Sequence, residues 1–536
     1  MTTRRRLLAA ATAATALPLA APALSQGASA AARTLRFVPQ ADLSILDPHW
    51  NTAYVTRNHA FMVYDTLYGL DASGTPRPQM LAGDEVSGDG RRRALTLREG
   101  LRFHDGAPVL ARDCVASVRR WASRDGCGVA LMAATDELSA PDDRTIVFRL
   151  KRPFPLLPAA LGKSGVYAPA IMPERLAAAP GADAAQVTEI TGSGPFRFVA
   201  AERVPGARAV YERNRGYVPR PGGEAPSGTA GPKVVHLDRV EWVTTPDPAT
   251  AAAALQNGEV DWWEFANPDL LALLRRNRDV AVSVQDPTGF VGAFRMNHLQ
   301  PPFDNPAVRR AVLRAVDQRD FMTAAAGDDP AMWRVPSGVF TPGTPLASDA
   351  GLEAFTAPRD LDRARRELAA AGYDGAPVVL LVATDFPHLR AMSEVGADLM
   401  RRIGMRVDDQ ALDWGTVLTR RANRGAPAQG GWSGFFTFAG GVDTATPAGH
   451  TMLRANGGAG WFGWPDDPRI EELRAAWFEA PDEAAQKSVA ADLQRRALES
   501  VPFVPLGQYF QATAHRRSLA GVLPGFATFW NLRKEA

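Results

Sequence analysis

"LREGLRFHDGAPVLARDCVASVRRW", Leu97 to Trp121, decides how the chain is read. Its Phe103-His104-Asp105-Gly106 can be half of a catalytic or metal site, or a turn between a strand and a helix. The flanks favour the turn. Arg98-Glu99-Gly100 makes one bend, Leu101-Arg102-Phe103 a short strand, and Asp105-Gly106-Ala107-Pro108 a second bend. From Leu110 the apolar residues recur at Cys114, Val115, Val118 and Trp121, one stripe on a helix beginning near Ala111. His104 then sits where strand gives way to turn, with Asp105 placed to bond local backbone.

Working outward, Thr34 to Val38 reads as a strand, Asn58 to Tyr68 as a helix, and Thr145 to Leu150 as a strand. Thr191-Gly192-Ser193-Gly194-Pro195 turns into the strand Phe196 to Val199, and no helix follows as a phosphate loop requires. Asp247 and Pro248 start a helix that Asn257-Gly258 ends. From Phe290 the rhythm alternates. Strands are expected at Phe290 to Met296, Val378 to Ala383, Met405 to Val407 and Trp432 to Phe438. Helices follow Asn305, Asp360, Asp413 and Asp467, with a last long one from Pro481 to Leu498. This is an α/β lobe of about 200 residues. Pro502 to Leu506 and Gln511 to Ala514 read as strands returning to the first lobe.

The 536 residues exceed what one core usually serves, so two or more lobes are expected. Sixty basic against 58 acidic residues give no case for nucleic acid as a partner. Arg4-Arg5-Arg6 precedes an uncharged Ala/Leu stretch from Leu7 to Leu24, and Ala28-Ser29-Ala30 offers a cleavage site. Residues 1–30 therefore read as an export signal of the twin-arginine type, removed from a periplasmic protein, in preference to a membrane anchor. Its removal leaves 57 bases against 58 acids, a net charge of −1. The only two cysteines, Cys114 and Cys127, can pair in an oxidising compartment or stay as small buried hydrophobes, and both readings stand.

Catalytic signatures are missing. There is no H-E-x-x-H, G-x-S-x-G, C-x-x-C or P-loop, and the 8 histidines form no i, i+4 pair. No catalytic residue, metal site or cofactor is assigned. Aromatic and polar side chains instead gather on loops: Trp50, Asn51 and Tyr54 after the first strand, then Trp432, and then Trp464 beside Pro465. Trp464 can line a cleft or join the core, and Phe435 and Phe436 read as core. Asp443 lies in a loop just past a strand, where α/β lobes hold ligands.

Five blocks then fall in order: the opening stretch, "TGSGPFRFV", "YERNRGYV", "PDPATAAAALQNGEVD" and "FDNPAVRRAVLRAVDQ". Together they resemble the family 5 solute-binding proteins of ABC importers, the peptide- and nickel-binding group, over nearly the whole mature chain. The resemblance implies a two-lobed periplasmic binding protein fold with an inserted subdomain, two hinge strands and no catalysis. It places lobe I at 31–65, 190–285 and 505–536, the inserted subdomain at 66–189 and lobe II at 286–504. The hinges fall near Gln285 to Gly292 and Pro502 to Gln508.

By the same resemblance, Asp443, four residues before Pro447, pairs with a peptide's amino terminus. The intervening Thr444-Ala445-Thr446 is less polar than the family's version. Lys163 is placed where relatives meet a ligand carboxylate, with a solvated surface lysine as the competing reading. The expected partners are a short peptide and membrane permease subunits, and the expected state is a monomer. Nickel chelates, opines, glutathione and oligosaccharides are alternative ligands within the fold. An exported hydrolase is the alternative from another class.

Overall fold

The computed structural model describes residues 33–178, 185–222 and 225–535, so the expected export signal lies outside the described residues. The protein folds as two α/β lobes. In the first, Thr34–Val38 lies parallel to both Arg239–Val243 and Trp262–Trp263. Ala512–Arg516 and Val280–Val284 extend the sheet at one edge, Arg208–Arg213 and Phe196–Phe198 at the other, for seven strands in all. Its core is aromatic: Phe37 touches Trp242, Trp262 and Phe529 with ring centroids 5.0–5.6 Å apart.

The second sheet has six strands, centred on Phe290–Met296, which pairs with Gly434–Gly440 and with Val504–Tyr509. Val378–Ala383 and Val407–Leu412 add parallel strands beyond Gly434–Gly440. Helices Pro306–Ala315 and Pro387–Arg402 carry Pro in their first turn, and helix Trp414–Arg420 is capped by Asp413. These caps end strand-like backbone and fix where each connection leaves the sheet.

The chain crosses between the two large sheets between Val284 and Phe290 and again between Tyr509 and Ala512. The second crossing lies later than the stretch Pro502 to Gln508. Val504–Tyr509 hydrogen-bonds to Phe290–Met296 and so belongs to the second sheet, not to the returning part of the first. It is buried along its whole length, so no polar alternation marks which sheet it joins. The first crossing is tied to the second sheet. Gln508 Nε2 donates to Thr288 O at 2.8 Å, and the Gly441 N–H donates to Gly289 O at 2.7 Å. A Cβ on Gly289 would stand 2.5 Å from Tyr509 O, and its φ of 60° is one that side chains disfavour.

A separate four-stranded antiparallel sheet, Leu81–Val86, Arg92–Leu97, Thr145–Leu150 and Thr135–Ser139, backs onto helix Ala111–Ala122. Its core holds Trp121 and both cysteines, which are free and buried, so no disulfide joins them. The His104 segment is a turn. Asp105 Oδ1 accepts the Ala107 N–H at 3.0 Å, and His104 Nε2 lies 3.1 Å from Gly194 O. Gly192 and Gly194 press on Val63, where a Cβ on Gly192 would meet Val63 O at 2.0 Å. The turn thus docks this subdomain onto the first lobe's helix Tyr54–Val63. That helix starts four residues before the expected Asn58, because every residue in it is buried and no polar edge marks its start. On its far side the subdomain meets the second lobe: Phe154 stacks on Phe478 at 6.0 Å and Arg152 pairs with Glu479 at 2.9 Å.

Candidate ligand-binding cleft

Helix Tyr54–Val63 points its first residue at the end of strand Gly434–Gly440 in the other lobe. The Tyr54 hydroxyl donates to Asp443 Oδ2 at 2.8 Å and accepts the Gly440 N–H. Its ring stacks on Phe438 at 5.5 Å and meets Phe290 edge-on. A tight turn after Gly440 delivers the acid, with the Asp443 N–H donating to Gly440 O at 2.9 Å. From the inserted subdomain, the Val166 N–H reaches Asp443 Oδ1 at 3.3 Å. Gly165 lies so close that a Cβ there would fall 1.7 Å from the same oxygen. Three parts of the chain converge on one carboxyl group.

That carboxyl is 5% exposed, and burial pushes its pKa above the ordinary 3.8 against the lowering pull of Lys163, Tyr54 and Arg57. Neither Lys163 nor Arg57 sits on it as an ion pair. Lys163 gives its ammonium to Asp125 at 2.5 Å, and Asp125 caps helix Gly126–Ala134. Arg57 donates through Nε and Nη2 to Asn58, which in turn donates to the buried Glu264 at 2.6 Å. A buried carboxylate held by neutral donors alone is costly, and an incoming cation offsets that cost.

Asp443 and Tyr54 face a narrow cavity between the lobes, with about 30 Å³ of space for the centres of water-sized molecules. Gln40 and Thr52 line it from the first lobe, and Val166 from the inserted subdomain. Trp414, Arg421 and Trp461 line it from the second lobe. A larger space, about 290 Å³ by the same measure, shares Gln40 and Ala41 with it and runs out between Phe265 and Phe386.

Of the side chains expected here, Asp443 and Tyr54 line the cavity and the others stand elsewhere. Asn51 is buried, and its Oδ1 accepts the Ala53 N–H ahead of the helix. Trp50 lies under the Arg124 guanidinium at 4.5 Å. Trp432 is fully buried and donates to Arg421 O at 3.2 Å, so it supports the wall from behind. Trp464 packs on Trp432 at 5.8 Å with φ 48°, in the core and not in the cleft. Lys163 is neither at the cavity wall nor a solvated surface lysine, since Asp125 holds it inside the subdomain.

Arg421 was not legible beforehand. It closes a short helix as the second of two arginines, and nothing in that pattern separates a cavity residue from a solvated one. Trp461 belongs to the aromatic loop run Trp461 to Trp464, which gives no sign of which of its rings faces the cavity, and Trp414 reads only as a helix start.

Among the described residues no three His, Cys, Asp or Glu side chains gather as a metal site. A space walled by two bodies, with only two short crossings between them, exchanges its contents by opening and closing about those crossings. The molecule is therefore a two-lobed binding protein. Residues 75–443 match the family described as bacterial extracellular solute-binding proteins, family 5, and the chain belongs to that family.

A protein of Sinorhizobium fredii described as a probable peptide ABC transporter periplasmic-binding protein is 37% identical over 100% of both chains. The structure of AgaA from "A.tumefacien R10", in complex with agropinic acid, is 22% identical with a TM-score of 0.77, covering 94% of this chain and 99% of that one. DppA from Helicobacter pylori, in complex with the peptide STSA, is 20% identical with a TM-score of 0.77, covering 94% and 98%. Both solved structures share this fold.

Proposed function

We propose that the protein is the exported binding component of an ABC importer, capturing a short peptide or peptide-like solute by lobe closure and presenting it to membrane permease subunits. The observation that carries this reading is Asp443, a buried carboxyl at the lobe interface with hydrogen-bond donors but no ion-paired cation. A ligand ammonium supplies that cation and turns a destabilising burial into a charge-assisted contact. Tyr54 and Val166 hold the carboxyl from the opposite side of the cleft, so a ligand that stabilises the ionised acid favours the closed arrangement over the open one. The relative described as a peptide transporter component and the peptide-bound neighbour support the ligand class. Among the described residues no helix is long and apolar enough to cross a membrane.

The test is calorimetric. Mass spectrometry identifies what co-purifies, and Asp443→Ala should then bind that solute about 2 kcal/mol more weakly, the cost of leaving its ammonium unpaired. Equal affinity of the two proteins would refute the assignment.

A further inference from the structure

We infer that the inserted subdomain clasps the second lobe directly, giving the closed state a source of stability that no solute supplies and that sets how far the empty protein closes. This rests on the reading of the two bodies as lobes that open and close.

The chain enters the subdomain after helix Tyr54–Val63 and returns from it to strand Phe196–Phe198, both parts of the first lobe. The His104 turn docks it there, with the His104 N–H donating to Gly192 O at 2.8 Å. The subdomain therefore travels with the first lobe. Any contact it makes with the second lobe parts when the lobes separate.

That contact is extensive and specific. Arg152, Phe154 and Leu156, alternate residues after strand Thr145–Leu150, all reach the second lobe. Phe154 is buried, and its ring stacks on Phe478 with the planes 23° apart. Arg152 pairs with Glu479, the last residue of helix Pro468–Glu479. Leu156, Ala448 and Phe478 each pack against the cores of both bodies at once. Farther along, a Cβ on Gly126 would stand 3.2 Å from Arg454 Cδ and 3.8 Å from Ala448 O.

None of these residues lines either cavity of the cleft. Unlike Asp443, the stacked rings and the ion pair are complete without a ligand. An aromatic pair contributes beyond the area it buries, so the seam favours closure in advance of binding. Raising the closed fraction of the empty protein raises every solute's affinity by one factor and leaves the ranking of solutes unchanged.

Dyes on Val86→Cys in the subdomain and Ser488→Cys in the second lobe, both exposed, read the closed-to-open ratio of the solute-free mature protein by single-molecule energy transfer. The native cysteines are buried and stay unlabelled in the fold. Phe478→Ala should lower the ratio at least fivefold. Arg152→Glu should lower it at least twofold, and adding Glu479→Arg should restore it. This exchange is made on exposed side chains, so the test stands even if Phe478→Ala fails to fold. For every free dipeptide that binds, Kd should rise in Phe478→Ala by one common factor. A ratio unchanged in the variants, an empty wild type that never closes, or a loss confined to some dipeptides overturns the clasp. The ratio is read without solute, so that failure is separate from failure of the peptide reading.

Discussion

Replacing Gly165 by Ala tests closure without removing any charged or polar side chain. The new methyl carbon would stand 1.7 Å from Asp443 Oδ1 and 2.7 Å from its Cγ. Carbon atoms at that position are not found under 3.0 Å from a neighbour, so the carboxyl or the subdomain must move by at least 1.3 Å. A shift of that size breaks the hydrogen bonds from Tyr54 and Val166, now 2.8 and 3.3 Å long. Bonds to a charged acceptor contribute about 1.5–3 kcal/mol each, so losing the pair weakens binding by about 3 kcal/mol, or about a hundredfold. The contact joins separate bodies, so the ligand-free protein should keep its melting temperature within about 2 °C. Gly88→Ala, in the same subdomain with nothing within 4 Å of its Cβ, is the control. The assay is a calorimetric titration paired with the radius of gyration from scattering, with and without solute. A Gly165→Ala protein that binds at wild-type affinity and contracts on binding would show that Asp443 does not take its place through this closure.

Tyr54→Phe removes the hydroxyl that donates to Asp443 and accepts from Gly440, and should weaken solute binding by about 1–3 kcal/mol with little change in fold. Titration showing no loss would place the carboxyl's support elsewhere. Cys114 and Cys127 are free, with burial pushing the Cys127 thiol up to about 12, so reductant should leave the melting temperature unchanged and denatured protein should titrate two thiols. A melting temperature that falls on reduction would mean the two are bonded. Burial holds the imidazoles of His49 and His104 at about 4, below their ordinary 6.5, so they are neutral in the fold and free to protonate when it opens. Their contribution is complete above pH 6.5 and is lost as pH falls toward 4, by about 1.4 kcal/mol per pH unit for each histidine. Urea midpoints that stay flat from pH 7 to 5 would contradict this.

The alternation of buried and exposed residues and the capping side chains made much of the fold legible. Phe290–Met296 and Val378–Ala383 were placed to the residue, and Asp247, Asn305, Asp360, Asp413 and Asp467 cap the helices expected of them. These signals are local. What failed was long-range. A strand buried on both faces, Val504–Tyr509, carries no mark of its partner, and a helix buried all round, Tyr54–Val63, no mark of its start. The aromatic loops show the same limit. Trp432, Trp464 and Trp461 look alike in sequence, yet the first two are core and the third faces the cavity. Asp443 was found because its loop carries a family pattern. Arg421 has no pattern, and only the folded chain brings it to the cavity wall.

Charge pairing separates scaffold from site more sharply than residue type does. Inside this protein Asp47 pairs with Arg120, Asp65 with Lys233 and Asp125 with Lys163, each at 2.5–2.7 Å and each buried. Glu264 and Arg57 meet through Asn58, and Arg295 is satisfied by backbone carbonyls. Asp443 and Arg421 are treated differently. Each is buried, each is held by neutral groups from the other side of the cleft, and both line one cavity. The fold satisfies its other deep charges with ion pairs or with several hydrogen bonds, and a solute cation is the complement that Asp443 lacks.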